Sequence, residues 1–127
     1  GTGCTVLDND GWQLPVSIGS ATERTIAAGV ITIGPSAESA VRKRHSVDTE
    51  DNAATDDLDT INGGAEGDEI WLQAEHDNRT VYVRHAVGNI RLQAQAPFSL
   101  DNTLDLIVLL YTGGVWIEQS RSNNGAE

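Results

Sequence analysis

Residues 68–122 alternate apolar and polar side chains in short runs that are separated by turn residues. Successive side chains of a strand point to opposite faces, so Ile70, Leu72 and Ala74 fall together on one face of an extended segment. Three runs share this alternation: 68–74, 80–85 and 89–93. The pattern predicts several half-buried β-strands in close succession.

The clearest predicted hairpin follows these runs. Residues 104–111 are almost continuously apolar, and a second strand-like run covers 115–118. Gly113 and Gly114 lie between them and can adopt positive φ at little steric cost. Because the first of these strands has apolar residues on both faces, it suits a chain that is covered on one side by itself and on the other by copies of itself.

The first half of the chain is less regular. Residues 26–33 and 41–47 are predicted strands, and 12–18 is a possible edge strand that Pro15 interrupts. Residues 48–61 are too polar to supply a core, so we expect a loop with at most one helical turn near 55–58.

The spacing of turn signals favours an all-β fold, a compact antiparallel sandwich or barrel-like module, over an α/β fold. We see no repeat long enough to indicate a solenoid. Three segments are expected: an N-terminal strand and loop segment (1–40), a β-rich module (41–122) and a C-terminal tail (123–127) that would be frayed in a monomer.

The chain is strongly acidic, with 8 basic and 19 acidic residues and a formal net charge of -11. Such a charge repels phosphate backbones and anionic membrane surfaces, so neither nucleic acid nor a membrane is an expected partner. Cys4 is the single cysteine in the sequence, which excludes an intrachain disulfide. No cofactor is expected.

An acidic cluster is the strongest candidate for a metal site. Its members are Asp48, Glu50, Asp51, Asp56, Asp57 and Asp59. Several hard oxygens in one loop can bind calcium, but the spacing of an EF-hand is absent, and a solvated acidic loop is the simpler interpretation. A third hypothesis pairs this cluster with Arg42, Lys43 and Arg44 of an adjacent subunit.

Catalytic patterns are not visible in the sequence. His45, His76 and His85 lack the close spacing of zinc ligands. No Gly-x-Ser-x-Gly elbow or phosphate-binding loop occurs, and with so many acidic residues a glycosidase pair cannot be picked out. We therefore expect a protein that is not an enzyme.

Aromatic residues on strands offer a different kind of site. Trp71 and Trp116 lie on predicted strands, with Tyr82 and Tyr111 near them, and such rings either stack on a sugar or pack within the protein. Trp71 shares its strand face with polar residues. It is therefore predicted to be either a ligand-facing aromatic or part of a contact with another subunit.

Several stretches together resemble the β-rich modules of tailed-bacteriophage fibres. They are 45–50, 53–64, 67–72, 79–83, 88–90, 98–102 and 106–122. Within them, the Asp-Asp-Leu-Asp-Thr-Ile stretch and the closing Tyr, Gly, Trp, Glu and Ser-Arg-Ser pattern carry most of the likeness. The resemblance implies a small β-structure that assembles as a trimer and has a structural or receptor-facing role on a virion.

The leading hypothesis is a non-enzymatic bacteriophage structural protein on the outer surface of the virion, either a capsid decoration or a tail or head fibre module. Its expected partners are itself, as a homotrimer, and the major capsid or tail protein, which residues 1–40 would grip. The predicted subunit interface comprises Val81, Val83, Ile107, Leu109 and Trp116. The alternative is a carbohydrate-binding module that recognises a host-surface glycan through Trp71 or Trp116.

Overall fold

The structure is a computed structural model that describes residues 20–33 and 42–125. Its strands are β1 (Thr22–Thr25), β2 (Val30–Thr32), β3 (Arg42–Asp48), β4 (Thr55–Leu58), β5 (Thr60–Asn62), β6 (Glu69–Ala74), β7 (Thr80–Val83), β8 (Ile90–Arg91), β9 (Phe98–Leu100), β10 (Leu106–Thr112) and β11 (Val115–Ser122). Short 3₁₀ turns lie at Glu50–Asn52 and Gln93–Gln95.

The strands stack in parallel as the chain winds into a short β-solenoid. On one face β1, β3 and β6 lie side by side, so that Thr22, His45 and Leu72 are aligned across three successive rungs. A second face pairs β2 with β5, and a third pairs β4 with β7, again in parallel. The described residues thus form sheets of six, two and three strands.

An antiparallel hairpin ends the solenoid. β10 runs antiparallel to β6 and to β11, and β9 runs antiparallel to β7. Gly113 and Gly114 form the turn with φ of 63° and 88°, values that glycine adopts without a Cβ clash. The predicted hairpin is confirmed, and it joins the large sheet through β6 and β8.

The core lies inside the coil. Because successive side chains of a strand point to opposite faces, every second strand residue points into it. Its largest member, Trp116, has no exposed surface, donates Nε1–H to the carbonyl of Ile61 at 3.2 Å and packs on Tyr111 with ring centroids 4.8 Å apart. Phe98 and aliphatic residues fill the rest; the aliphatic ones are Ile26, Ile31, Ile33, Val47, Leu58, Ile61, Ile70, Leu72, Ala74, Val81, Val83, Ile90, Leu92, Leu100, Ile107 and Leu109.

Charged pairs hold the corners between faces. Asp48 is buried and accepts hydrogen bonds from Nη1 of Arg79 at 3.0 and 3.1 Å. Asp59 accepts from Nε and Nη2 of Arg84 at 2.6 and 2.9 Å. Because each ion pair has two hydrogen bonds, it fixes the relative orientation of the two side chains as well as their separation. These pairs therefore stabilise the corners at which the chain passes from one face of the solenoid to the next.

The all-β prediction is confirmed, but the sandwich or barrel-like arrangement is wrong. Parallel pairing of strands that are distant in sequence replaces much of the expected antiparallel arrangement. The repeat is not visible because equivalent strands differ in sequence: Thr-Glu-Arg-Thr in β1 stacks on part of Arg-Lys-Arg-His-Ser-Val-Asp in β3. Only the inward positions must stay apolar, and in such short strands they are few.

The prediction of a loop over 48–61 is also wrong. This stretch contains a 3₁₀ turn, β4 and β5. Leu58 and Ile61 are its only fully buried apolar side chains, and of its acidic residues only Asp48 is buried. A solenoid strand needs just one or two inward residues because its backbone hydrogen bonds are made by the strands of the neighbouring rung.

The predicted strand over 26–33 is interrupted. Ile26 lies at a corner, and a tight turn with φ of 53° at Ala28 and 82° at Gly29 precedes β2. The strands predicted at 41–47, 68–74 and 80–85 correspond to β3, β6 and β7. The possible edge strand at 12–18 and Cys4 lie outside the described residues.

β1 and β2 precede the boundary expected at residue 40, yet they pair with β3 and β5 in the same sheets. The start of the expected tail is also held: Oδ1 of Asp105 accepts hydrogen bonds from the backbone N–H groups of Asn124 and Gly125 at 2.9 and 2.8 Å. The tail as far as Gly125 therefore does not need a neighbouring chain to be ordered.

Candidate functional site

The outer face of the six-stranded sheet carries apolar side chains. Along β10, Leu106, Val108 and Leu110 point outward because Ile107 and Leu109 point into the core. All three outward residues are half-buried, although the opposite face of their strand already supplies the core. β10 thus has apolar residues on both sides, as the sequence predicts.

Neighbouring strands extend this surface. Trp71 on β6 lies opposite Val108, and Ile117 on β11 lies opposite Leu110. Trp71 is half-buried, whereas Ile117 is 38% exposed. The apolar outer face is therefore defined by these residues: Trp71, Leu106, Val108, Leu110 and Ile117.

Polar residues border the apolar outer face on the side of β3. Arg44 lies opposite Trp71 and donates from Nη2 to Oε1 of Gln73 at 2.7 Å, which holds the guanidinium along the edge of the face. Glu69 lies opposite Leu110 on the next strand. An apolar centre with a polar border is the usual anatomy of a protein–protein contact.

The five residues predicted to form the subunit interface are not on this surface. Each has no exposed area, because all five lie in the core of a single chain: Val81, Val83, Ile107, Leu109 and Trp116. Their role is therefore revised to intrachain packing. The alternating pattern is visible in the sequence. It does not show which of the two strand faces is buried within one chain, because that depends on how the strands pair in the solenoid.

The two tryptophans proposed as ligand platforms differ in accessibility. Trp116 is wholly buried and offers no surface to a sugar. Trp71 faces outward, but its indole N–H is buried and has no hydrogen-bond acceptor in the described part of the chain. A sugar site at Trp71 would therefore have only part of the ring face to use and no indole donor.

The acidic cluster is divided among separate structural contacts. Asp48 binds Arg79, and Asp56 accepts hydrogen bonds from the backbone N–H groups of Glu50 and Asp57, both at 2.8 Å. Asp57 and Asp59 face Arg84, 3.5 Å and 2.6 Å from its nitrogens. Across residues 20–33 and 42–125, no three His, Cys, Asp or Glu side chains are placed to hold a metal ion.

The three histidines lie apart and have different environments. His45 is buried, and its Nδ1 accepts a long hydrogen bond from Nε of Arg24 at 3.4 Å. His76 lies 3.8 Å from Asp48, and Nδ1 of His85 accepts from the backbone N–H of Leu92 at 2.9 Å. The three histidines therefore have different partners and do not form a common site.

Two carboxylates near the hairpin have lowered pKa values. Burial acts to raise the pKa of Glu118, but hydrogen bonds from Arg121 at 2.7 and 2.8 Å and from the Gln93 N–H at 2.7 Å outweigh it and lower the pKa. The pKa of Glu66 is lowered by hydrogen bonds from Thr112 and from the Gly113 N–H. Both carboxylates are therefore ionised at neutral pH, and their hydrogen bonds connect the hairpin to the preceding loops.

Comparisons with known proteins add no relative: no family model, no curated protein and no solved structure matched the chain. Among the residues that the structure describes, none of the helical segments is long and apolar enough to cross a membrane. The functional argument therefore depends on the surfaces of the solenoid itself.

Proposed function

We propose that this chain is a self-associating structural module of a bacteriophage virion, displayed on the outer surface of the particle as a capsid decoration or fibre module. It acts without catalysis and assembles as a homotrimer. The observation that carries the proposal is the apolar outer face on Trp71, Leu106, Val108, Leu110 and Ile117.

The location of the apolar residues favours association. An outward strand face in contact with water is normally polar, and scattered single apolar residues need no explanation. Here the apolar residues are contiguous, since Leu106, Val108 and Leu110 follow one another on one strand and Ile117 adjoins them. Removal of apolar surface from water contributes about 25 cal/mol per Å², so covering such a face drives association.

The charge distribution is compatible with this contact. The carboxylates of Asp56, Asp57 and Asp59 lie on or beside the three-stranded sheet and not on the apolar outer face. Copies with a net charge of -11 each repel one another at long range, but contact through an apolar face brings few of those charges together. The acidic surface then keeps finished particles apart in solution.

The resemblance to tailed-bacteriophage fibre modules supports the virion role and the number of subunits. Its stretches cover all or part of every strand from β3 to β11. A solenoid that stacks rungs along one axis suits an elongated structural part, because each rung contacts mainly its neighbours. The same resemblance implies three copies per assembly.

Light scattering on the purified chain tests the assembly. We expect the mass of three chains for the wild type and of one chain for the double variant Leu110→Glu and Ile117→Glu, in which two buried charges would oppose contact. The matched control is Val87→Glu, which adds one charge at a side chain that is 58% exposed and lies on a different segment.

A wild-type monomer at every concentration, or a double variant that stays trimeric, would overturn the proposed assembly. Far-UV circular dichroism of each variant checks that the fold is retained. Immunogold labelling of intact phage particles with an antibody against this chain tests the virion role separately: labelling of the particle surface supports it, and absence of the chain from the particles contradicts it.

A further inference from the structure

The outer face of the three-stranded sheet carries a second surface, unrelated to the apolar outer face. On β7, Val81 and Val83 point into the core, so Tyr82 points outward, where it is 37% exposed. Asp57 of β4 and Ser99 of β9 lie directly opposite Tyr82 on either side. One row across the sheet therefore presents a carboxylate, a phenol ring and a hydroxyl.

Polar groups lie in the adjoining rows. Thr55 and Thr80 are paired two residues before this row, and Arg84 follows two residues after Tyr82. Arg84 is 40% exposed in its side chain, while Nε and Nη2 bind Asp59 at 2.6 and 2.9 Å and Nη1 lies 3.5 Å from Asp57. The guanidinium is thus oriented by two carboxylates, yet it remains partly open to solvent.

The row is held rigidly. β7 is the central strand of its sheet, with β4 parallel on one side and β9 antiparallel on the other. The N–H of Arg84 continues the ladder by donating to the carbonyl of Leu58 at 3.0 Å. Side chains on such a scaffold keep their positions better than side chains on a loop, so a ligand meets groups that are already in place.

We infer that the row Asp57, Tyr82 and Ser99, together with Arg84, is a binding platform for a neutral glycan. A pyranose ring has an apolar C–H face that fits an aromatic ring, and hydroxyl groups around its edge that both donate and accept hydrogen bonds. Asp57 accepts, the guanidinium of Arg84 donates, and the hydroxyl of Ser99 does both.

The charges select a neutral ligand over an anionic one. Arg84 faces two carboxylates, Asp57 and Asp59, so its immediate surroundings have a net negative charge. The whole chain carries -11, which further repels acidic polysaccharides and nucleic acids. The phenol hydroxyl of Tyr82 makes no hydrogen bond to another described residue, so it is available to a sugar hydroxyl.

The platform goes beyond self-association and differs from the tryptophan sites considered from the sequence. It lies on a different sheet from Trp71, and Trp116 is buried. If the module is displayed on a particle, the platform would give it weak contact with surface sugars. Binding by one shallow platform is expected in the millimolar range, with many copies on a particle adding avidity.

The test is an NMR titration of the isotope-labelled full chain with maltohexaose, cellohexaose, chitohexaose and mannohexaose, and with sialyllactose as an acidic probe. We expect at least one neutral oligosaccharide to shift the resonances of Asp57, Tyr82 and Ser99, and sialyllactose to leave them unchanged. Tyr82→Ala should weaken binding about tenfold, whereas Tyr82→Phe keeps the ring and should bind within about threefold of the wild type.

Leu104→Ala is the matched control, because it truncates another exposed side chain outside the platform and should bind as the wild type does. The inference is overturned if none of the four neutral oligosaccharides shifts these resonances, or if Tyr82→Ala binds as well as the wild type. It is also overturned if dilution of the protein alone produces the same shifts, which would identify this face as a subunit contact. These outcomes do not depend on whether the apolar outer face forms a trimer.

Discussion

The side-chain amide of Asn89 pairs with the main chain of Ile61. Its Oδ1 accepts a hydrogen bond from the Ile61 N–H and its Nδ2 donates to the Ile61 carbonyl, both at 2.9 Å. One asparagine side chain thus makes the two bonds that a neighbouring strand would make. The Asn89 side chain thus takes the place of a third strand beside β5 in the two-stranded sheet. The strand that follows it, β8, belongs to the six-stranded sheet.

We predict that Asn89→Ala destabilises the protein by about 2–3 kcal/mol, because it leaves the N–H of a buried residue without an acceptor. Urea unfolding measures the loss. Asn78→Ala makes the same change at an exposed turn and should cost less than about 0.5 kcal/mol. Equal losses in the two variants would show that the amide pairing contributes nothing specific.

Gly88 allows the loop before Asn89 to approach the corner at Asp59. A Cβ at this position would lie 2.1 Å from Oγ1 of Thr60 and 2.3 Å from the carbonyl oxygen of Asp59, and the main-chain atom cannot simply rotate away. We predict a loss of about 1–3 kcal/mol or more in the free energy of unfolding for Gly88→Ala.

Gly67→Ala is the comparison variant for Gly88→Ala. Gly67 has open space around a Cβ but a φ of +91°, so only backbone strain opposes the substitution. We expect a loss of about 1 kcal/mol there. Thermal unfolding of both variants would contradict the steric argument if Gly67→Ala were the more damaging change.

Arg79 neutralises a buried carboxylate. The side chain of Asp48 is only 8% exposed and lies 3.0 Å from Nη1 of Arg79. We predict that Arg79→Ala costs about 1–3 kcal/mol, because the buried carboxylate loses the two hydrogen bonds that the guanidinium donates to it. Arg91→Ala is the control, since that side chain is exposed and binds only main-chain carbonyls. Similar chemical denaturation midpoints for both variants would refute the role of Arg79.

Stability should fall in acid through Glu118 and Asp105. Burial acts to raise the pKa of Asp105, but a hydrogen bond with the Asp101 side chain and bonds from the N–H groups of Gly125, Asp101 and Asn124 lower it overall. The pKa of Glu118 is lowered as well. The ordinary pKa values of the two groups are 4.5 for Glu118 and 3.8 for Asp105.

A carboxyl group with a lowered folded-state pKa stabilises the protein fully above its ordinary pKa, and the contribution is lost as the pH falls through the lowered value. We therefore expect the free energy of unfolding to decline from about pH 4.5 downward. Urea unfolding at a series of pH values measures this decline. Glu118→Gln should be less stable at neutral pH and show a shallower decline, and an unchanged slope would exclude Glu118 as a source.

Local patterning was enough to predict the strands at β3, β6, β7, β10 and β11 and the turn at Gly113 and Gly114. Alternation and turn chemistry act over a few residues, so they can be recognised in one sequence. The same method missed β4 and β5, because two inward residues among many carboxylates resemble a loop. It also could not locate Tyr82 as an exposed ring between Asp57 and Ser99.

The sequence by itself determined the all-β class, the closing hairpin and the acidic character of the surface, since each follows from composition or from neighbours along the chain. Only the tertiary structure decided that the strands stack in parallel as a solenoid, that Val81, Val83, Ile107, Leu109 and Trp116 belong to one chain's core, and that Trp71 shares an outer face with Val108. The physical reason is that strand pairing is a long-range choice: alternation creates two faces, and only the register between distant strands decides which face is buried.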